Sequence, residues 1–313
     1  MNTNLTTRPT KGPLSTWSSG NSADMAWNDP QYIAAAGVDN AGGAVGVGFW
    51  SGDGGTTWTK FASLPAGAAT NTDASSNVAV TSRNNVIWAP PDSVPSYTTN
   101  NGATWTATNL PALTVINGVP RSYRLKADRK NPNKVYAYDS GGAWWGTPGL
   151  VYVSTDAGHT FTLSQGSVNA NLRANPWGAT SMEVNPNVEG DIWLADGNDV
   201  YHSVDSGATW TKLNIFASVW GDRQTWAWPY VQGASIVTLG KAAKNAQYPA
   251  AIYVTGVING QWGVYRSDNG GASWTRFNDD AHQFGGIGHM AADWNTYGRI
   301  YFSGEARGVI YTN

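Results

Sequence analysis

Short apolar runs alternate with polar positions along most of the chain. Val151-Tyr152-Val153, Val264-Tyr265 and Trp210-Thr211-Lys212-Leu213 are typical. Period-two alternation over so few residues predicts strands rather than helices. No helix of note is expected, and nothing reads as a linker, so residues 1–313 are taken as a single domain.

One motif punctuates these runs: Ser-x-Asp-x-Gly-x-Thr-Trp. It stands at Ser51 to Trp58 and Ser203 to Trp210, and at Ser154 to Phe161 with Phe in the last place. Two further copies, Thr98 to Trp105 and Ser267 to Trp274, carry Asn at the Asp position. Each box follows one apolar run and precedes another, which places it at a hairpin turn. There the carboxylate or amide folds back onto backbone amides, Gly takes a positive φ, and Trp packs under the turn. This is the Asp-box of sialidase-like propellers, a structural device whose aspartates are poor catalytic candidates.

A second turn recurs at Asn28-Asp29-Pro30, Arg83-Asn84-Asn85, Asn131-Pro132-Asn133 and Asn185-Pro186-Asn187. Each module therefore reads as strand a, Asn/Pro turn, strand b, variable loop, strand c, box, strand d. The spacing of the boxes fits a four-stranded blade. A sixth module without a box closes the sequence, with its turn at Trp294 to Gly298 and its last strand at Val309-Ile310-Tyr311. The expected fold is all-β, a β-propeller of four-stranded blades with six modules visible.

This order puts the a–b turns and boxes on one face. The b–c connections (90–96, 139–149, 196–199, 256–263) and d–a connections (63–77, 109–122, 167–179, 214–228, 278–288) fall on the other. Function gathers on such long connections over a rigid scaffold. They carry Trp144, Trp145, Trp177, Trp220, Trp226 and Trp262, with Arg223 and Gln283 beside them. Indole faces stack on pyranose rings while planar polar groups meet hydroxyls, so these eight residues are the substrate-binding candidates.

Composition narrows the partner. Net charge is −2 and charged residues are 13% of the chain, with no Lys/Arg run, so neither nucleic acid nor an anionic membrane is an expected partner. Cysteine is absent, which excludes thiolate chemistry. The four histidines are scattered, so neither a metal nor any other cofactor is expected. The N-terminus shows no basic and apolar leader pattern.

From about Asn4 onward the sequence resembles the C-terminal propeller half of family 74 glycoside hydrolases, the xyloglucan-specific endoglucanases and their chain-end-acting relatives. The carrying stretches are Asp128 to Tyr138, Gly190 to Leu194, Tyr265 to Gly285, Tyr297 to Tyr301 and Arg307 to Tyr311. The resemblance implies two seven-bladed propellers facing each other across a cleft, each giving one catalytic Asp to an inverting hydrolysis. It also implies plant cell-wall xyloglucan or a related β-glucan as partner, secretion, and an N-terminal propeller as domain or subunit. Asn4-Leu5-Thr6-Thr7 matches a family segment with Asn for Asp, which sets that half's catalytic Asp upstream of residue 1. Asp53-Gly54-Gly55 belongs to a box and is not that acid. Gly304-Glu305-Ala306-Arg307 departs from the family's usual Asn-Gly before Arg-Gly.

No catalytic residue carries over. Asp279, Asp280, Asp139 and Asp222 are the carboxylates left on the loop face as candidates. For Asp279-Asp280 the preferred reading is one loop cap and one partner for an Arg such as Arg276. The chain alone is expected to hydrolyse weakly or not at all; the alternative is a stand-alone carbohydrate-binding propeller. A sialidase is not favoured, since Arg299-Ile300 lacks the following Pro of that family's strand.

Overall fold

A computed structural model describes residues 17–41, 43–70, 76–113, 120–141, 148–172, 180–220, 230–284, 286–304 and 308–312. Their tertiary contacts divide into two compact units. One comprises Met1–Asp139 with Val151–Leu163, the other Ser140–Leu150 with Ser164–Asn313.

The first unit holds three four-stranded antiparallel sheets, one for each of the first three modules, with the strands neighbouring in chain order. The second unit holds two more four-stranded sheets, a three-stranded sheet and a two-stranded ribbon. The fold is all-β and of the propeller class. The modules were expected to be four-stranded throughout; among the described residues the sixth has three strands, Ile287–Ala292, Ile300–Gly304 and Gly308–Tyr311.

Within each blade burial is graded across the strands. The second strands Asn85–Ala89, Val135–Asp139 and Ile192–Ala195 are buried at every position. Covered on both faces, these strands are near-continuous apolar runs with polar residues only at their ends, Asn85 and Asp139. The fourth strands Thr59–Lys60, Thr106–Ala107 and Thr211–Lys212 are two residues long and exposed. Packing between blades relies on large side chains facing small ones. Gly48 lies against Phe61 and Trp88, and a Cβ there would sit 2.4 Å from the Trp88 ring.

All five boxes span the third-to-fourth strand turn, and their hydrogen bonds repeat. The opening hydroxyl donates to the Asp or Asn oxygen two residues on (2.7–3.0 Å) and accepts from the box Gly N–H (2.8–3.0 Å). The Thr or Ser N–H four residues after the carboxylate or amide closes the ring. In the Asp boxes the Thr hydroxyl donates to Oδ2 at 2.6 Å. In the Asn boxes the amide donates to the hydroxyl instead. Two consecutive residues have positive φ, the box Gly and the one before it: Gly54, Asn101, Ala157, Ser206 and Gly270. The sequence motif announces only the Gly.

These bonds hold the carboxylates ionised. Hydrogen bonds from Thr57 and Ser51 lower the Asp53 pKa to about 2. At Asp156 burial pushes upward, but the Thr160 and Ser154 bonds outweigh it and the pKa is again about 2. A folded pKa below the ordinary 3.8 means the stabilisation is complete above that value and is lost as pH falls toward about 2. Asp156→Asn should keep the turn, as Asn100 and Asn269 do, and melt within about 0.5 kcal/mol of the parent at pH 7. Its melting temperature should fall less than the parent's between pH 4 and 2. Calorimetry across that window checks both statements, and an identical pH slope would refute the assignment.

The third d–a connection opens on a short helix, Gln165–Ala170, capped by the Ser164 side chain on the Ser167 N–H. No helix was expected there, because Gln-Gly-Ser-Val-Asn-Ala has no apolar face. The helix follows from its cap.

Candidate functional site

The expected loop 256–263 is mostly strand. Ala251–Ile258 and Gln261–Ser267 pair up to a two-residue Asn259-Gly260 turn with φ of 51° and 76°. Asn-Gly supplies the two positive φ values that a tight hairpin needs. Trp262 is therefore a half-buried strand residue paired with Val257.

The hairpin brings several predicted residues together with the loop after Thr275–Arg276. Arg276 is the hub. Its Nε donates to the Trp262 carbonyl at 3.0 Å and its Nη1 to Asp280 Oδ1 at 2.6 Å. Gln283 Nε2 donates to the same Asp280 oxygen at 3.3 Å, and Gln261 Nε2 approaches it at 3.5 Å. The Arg276 guanidinium is largely covered while the Asp280 carboxylate is 77% exposed. A covered cation thus fixes an open carboxylate, flanked by two amides and the Trp262 strand. Gln261 was not singled out from the sequence, since only the hairpin register brings it beside Asp280.

Asp279 does separate work. Its Oδ1 accepts the Ala281 and His282 N–H groups at 3.0 and 2.9 Å and lies 2.6 Å from His282 Nδ1. The His282 side-chain bond leads in lowering its pKa. A general acid uses the opposite shift.

Asp139 ends the buried strand Val135–Asp139 and is bound by Arg121, with both side chains nearly covered. It presents no open carboxylate. Trp220 lies in the ribbon that pairs Val219–Trp220 with Tyr230–Val231. Trp144, Trp145, Trp177, Trp226, Asp222 and Arg223 lie outside the described residues.

Two further carboxylates occupy the turn between Ile192–Ala195 and Val200–Ser203. Burial raises the pKa of both Asp196 and Asp199. Asp196 accepts the Asn198 and Asp199 N–H groups, and Asp199 those of Val200 and Phe216. They cap backbone and face no open space. Among the described residues no cluster of His, Asp or Glu could hold a metal ion. No described helix is long and apolar enough to cross a membrane.

No family model matches the chain. A xyloglucanase from Paenibacillus sp is 33% identical over 309 residues, which is 95% of this chain and 26% of that protein. The family 74 enzyme of Niastella koreensis superposes with a TM-score of 0.75 at 30% identity, covering 99% of this chain and 39% of that one. The family 74 xyloglucanase of Xanthomonas campestris gives a TM-score of 0.72 at 29% identity, covering 93% and 36%. The chain thus spans between a quarter and two fifths of the length of these relatives. Over nearly its whole length it corresponds to a propeller part of family 74 glycoside hydrolases.

Proposed function

We propose that residues 1–313 form one wall of a cleft that binds xyloglucan or a related β-glucan outside the cell, and that they are the C-terminal propeller half of such an enzyme. The observation that carries this reading is the Arg276–Asp280 pair with its flanking amides beside Trp262. An exposed carboxylate and planar amides match sugar hydroxyls. Hydrolysis itself would need both catalytic acids from polypeptide outside residues 1–313, one of them on an N-terminal propeller present as domain or subunit.

A binding propeller without catalysis is the second reading. It is favoured by the state of the candidate carboxylates: Asp139 is bound by a covered Arg, Asp280 is paired with Arg276, and Asp279 has a lowered pKa.

Calorimetric titration with xyloglucan oligosaccharides tests the shared premise. Trp262→Ala should weaken binding by about 1–3 kcal/mol, the scale of a ring stacked on an aromatic. Asp280→Asn should weaken it less, because the amide keeps an acceptor for Arg276. A parent chain that does not bind the oligosaccharide removes the polysaccharide assignment.

A further inference from the structure

Asp280 uses only one of its two carboxylate oxygens within the protein. Oδ1 takes the Arg276 Nη1 donor at 2.6 Å and the Gln283 and Gln261 amide nitrogens at 3.3 and 3.5 Å. Oδ2 has no partner among the described residues, on a side chain that is mostly exposed. A carboxylate only accepts, so each glutamine turns its nitrogen toward Asp280 and its oxygen away. Neither Oε1 has a partner among the described residues, and Gln261 and Gln283 are both exposed. Arg276 adds no outward donor. Its Nε is held by the Trp262 carbonyl, its Nη1 by Asp280, and its Nη2 is buried. Three unused oxygens, one of them anionic, therefore gather around one carboxylate while the guanidinium donors are turned inward.

Unused oxygens answer to a cation or to a hydroxyl donor. A cation is opposed by the guanidinium, whose charge lies 2.6 Å from Asp280 and already cancels it. A neutral sugar hydroxyl meets no such opposition, and its hydrogen bond to a charged acceptor is stronger than one to a neutral acceptor. The same hydroxyl loses its hydrogen when its oxygen is acylated. The ester then brings only acceptors to a surface of acceptors, and it adds bulk over Asp280.

We propose that Asp280, with Gln261 and Gln283, makes this site select glucan units whose hydroxyls are free and reject the same units when they are O-acylated. The inference rests on the polysaccharide reading and adds a discrimination within that substrate class. Arg276 is a positioning residue: it pins Oδ1, so that Oδ2 stays outward. The selection also places the chain in a sequence of reactions. On an acylated polysaccharide an ester hydrolysis has to come first, in which water adds across the acyl carbon–oxygen bond and leaves a free hydroxyl and a carboxylic acid.

The test is calorimetric titration of the full chain, and of its Asp280→Asn variant, with xyloglucan oligosaccharides that are unmodified or partly O-acetylated. The parent should bind the unmodified sugar on the order of tenfold more tightly, the scale of one hydrogen bond to a charged group. Asp280→Asn keeps an oxygen for Arg276 and turns an N–H outward, which donates to a hydroxyl oxygen or to an ester carbonyl alike. Its preference should shrink to about twofold or less. Equal binding of the two sugars by the parent overturns the inference and leaves the polysaccharide reading standing. A parent that binds neither sugar overturns both. An undiminished preference in Asp280→Asn would assign the selection to other residues and sink the proposal. So would binding of calcium chloride by the parent that Asp280→Asn abolishes, since the occupant would then be a cation.

Discussion

Asp191→Ala is expected to destabilise the protein by about 3–5 kcal/mol, the usual cost of removing one member of a buried polar or ionic pair. Asp191 is 2% exposed, just before the strand Ile192–Ala195. Its Oδ1 meets His202 Nε2 at 2.8 Å, and its Oδ2 accepts the Asn185 amide at 2.9 Å and the Tyr248 hydroxyl. Tyr248 belongs to the connection before Ala251–Ile258, so one carboxylate joins the fourth and fifth blades. Tyr248 in turn accepts the Trp193 indole N–H at 2.8 Å, and Trp193 stacks on His202 with centroids 3.9 Å apart. Alanine would strand donors in a covered site, where each unsatisfied group costs about 1–3 kcal/mol. Asp191→Asn should cost less, since it keeps one acceptor. Urea unfolding of both variants and of Tyr248→Phe measures the effects. If Asp191→Ala unfolds at the parent's midpoint, the network is not what joins these blades.

That network was not legible in the sequence, and distance along the chain explains why. Tyr248 lies 57 residues from Asp191, and nothing in either segment announces the other. The boxes were legible because every bond in them closes within a few residues, so the motif carries its own geometry. Even there the second positive φ, at Ala157 and Ser206, has no marker, because the turn imposes it on whatever residue precedes the Gly. The candidate site shows the same divide. Asp279, Asp280 and Gln283 are neighbours in sequence and were found together. Gln261 joins them only through the register of Ala251–Ile258 with Gln261–Ser267. Asp139 looked like an open loop carboxylate, but strand burial and Arg121 close it off, which single-residue reading does not register.

Incubated alone with xyloglucan, this chain is expected to release reducing ends far more slowly than a complete two-propeller enzyme. Inverting hydrolysis places an acid and a base about 6.5–9.5 Å apart on opposite sides of one sugar ring. Asp279 and Asp280 are adjacent in one loop, and each is already engaged: the first by His282 and loop amides, the second by Arg276. The Asp279 pKa is lowered, first by the His282 side-chain hydrogen bond, which is the direction opposite to the one a general acid uses. Losing one positioned acid or base costs about 10²–10⁴-fold, and the proposed function puts both acids outside residues 1–313. Supplying both acids, one on a separate propeller and one on the segment that the family resemblance puts ahead of residue 1, should restore turnover, while Asp280→Asn in this chain should then change substrate affinity more than rate. Reducing-sugar release, measured with and without that second propeller, decides the matter. Rapid turnover by the chain alone would mean that its own loop face holds both acids. Asp222, which lies outside the described residues, would then be the first position to replace.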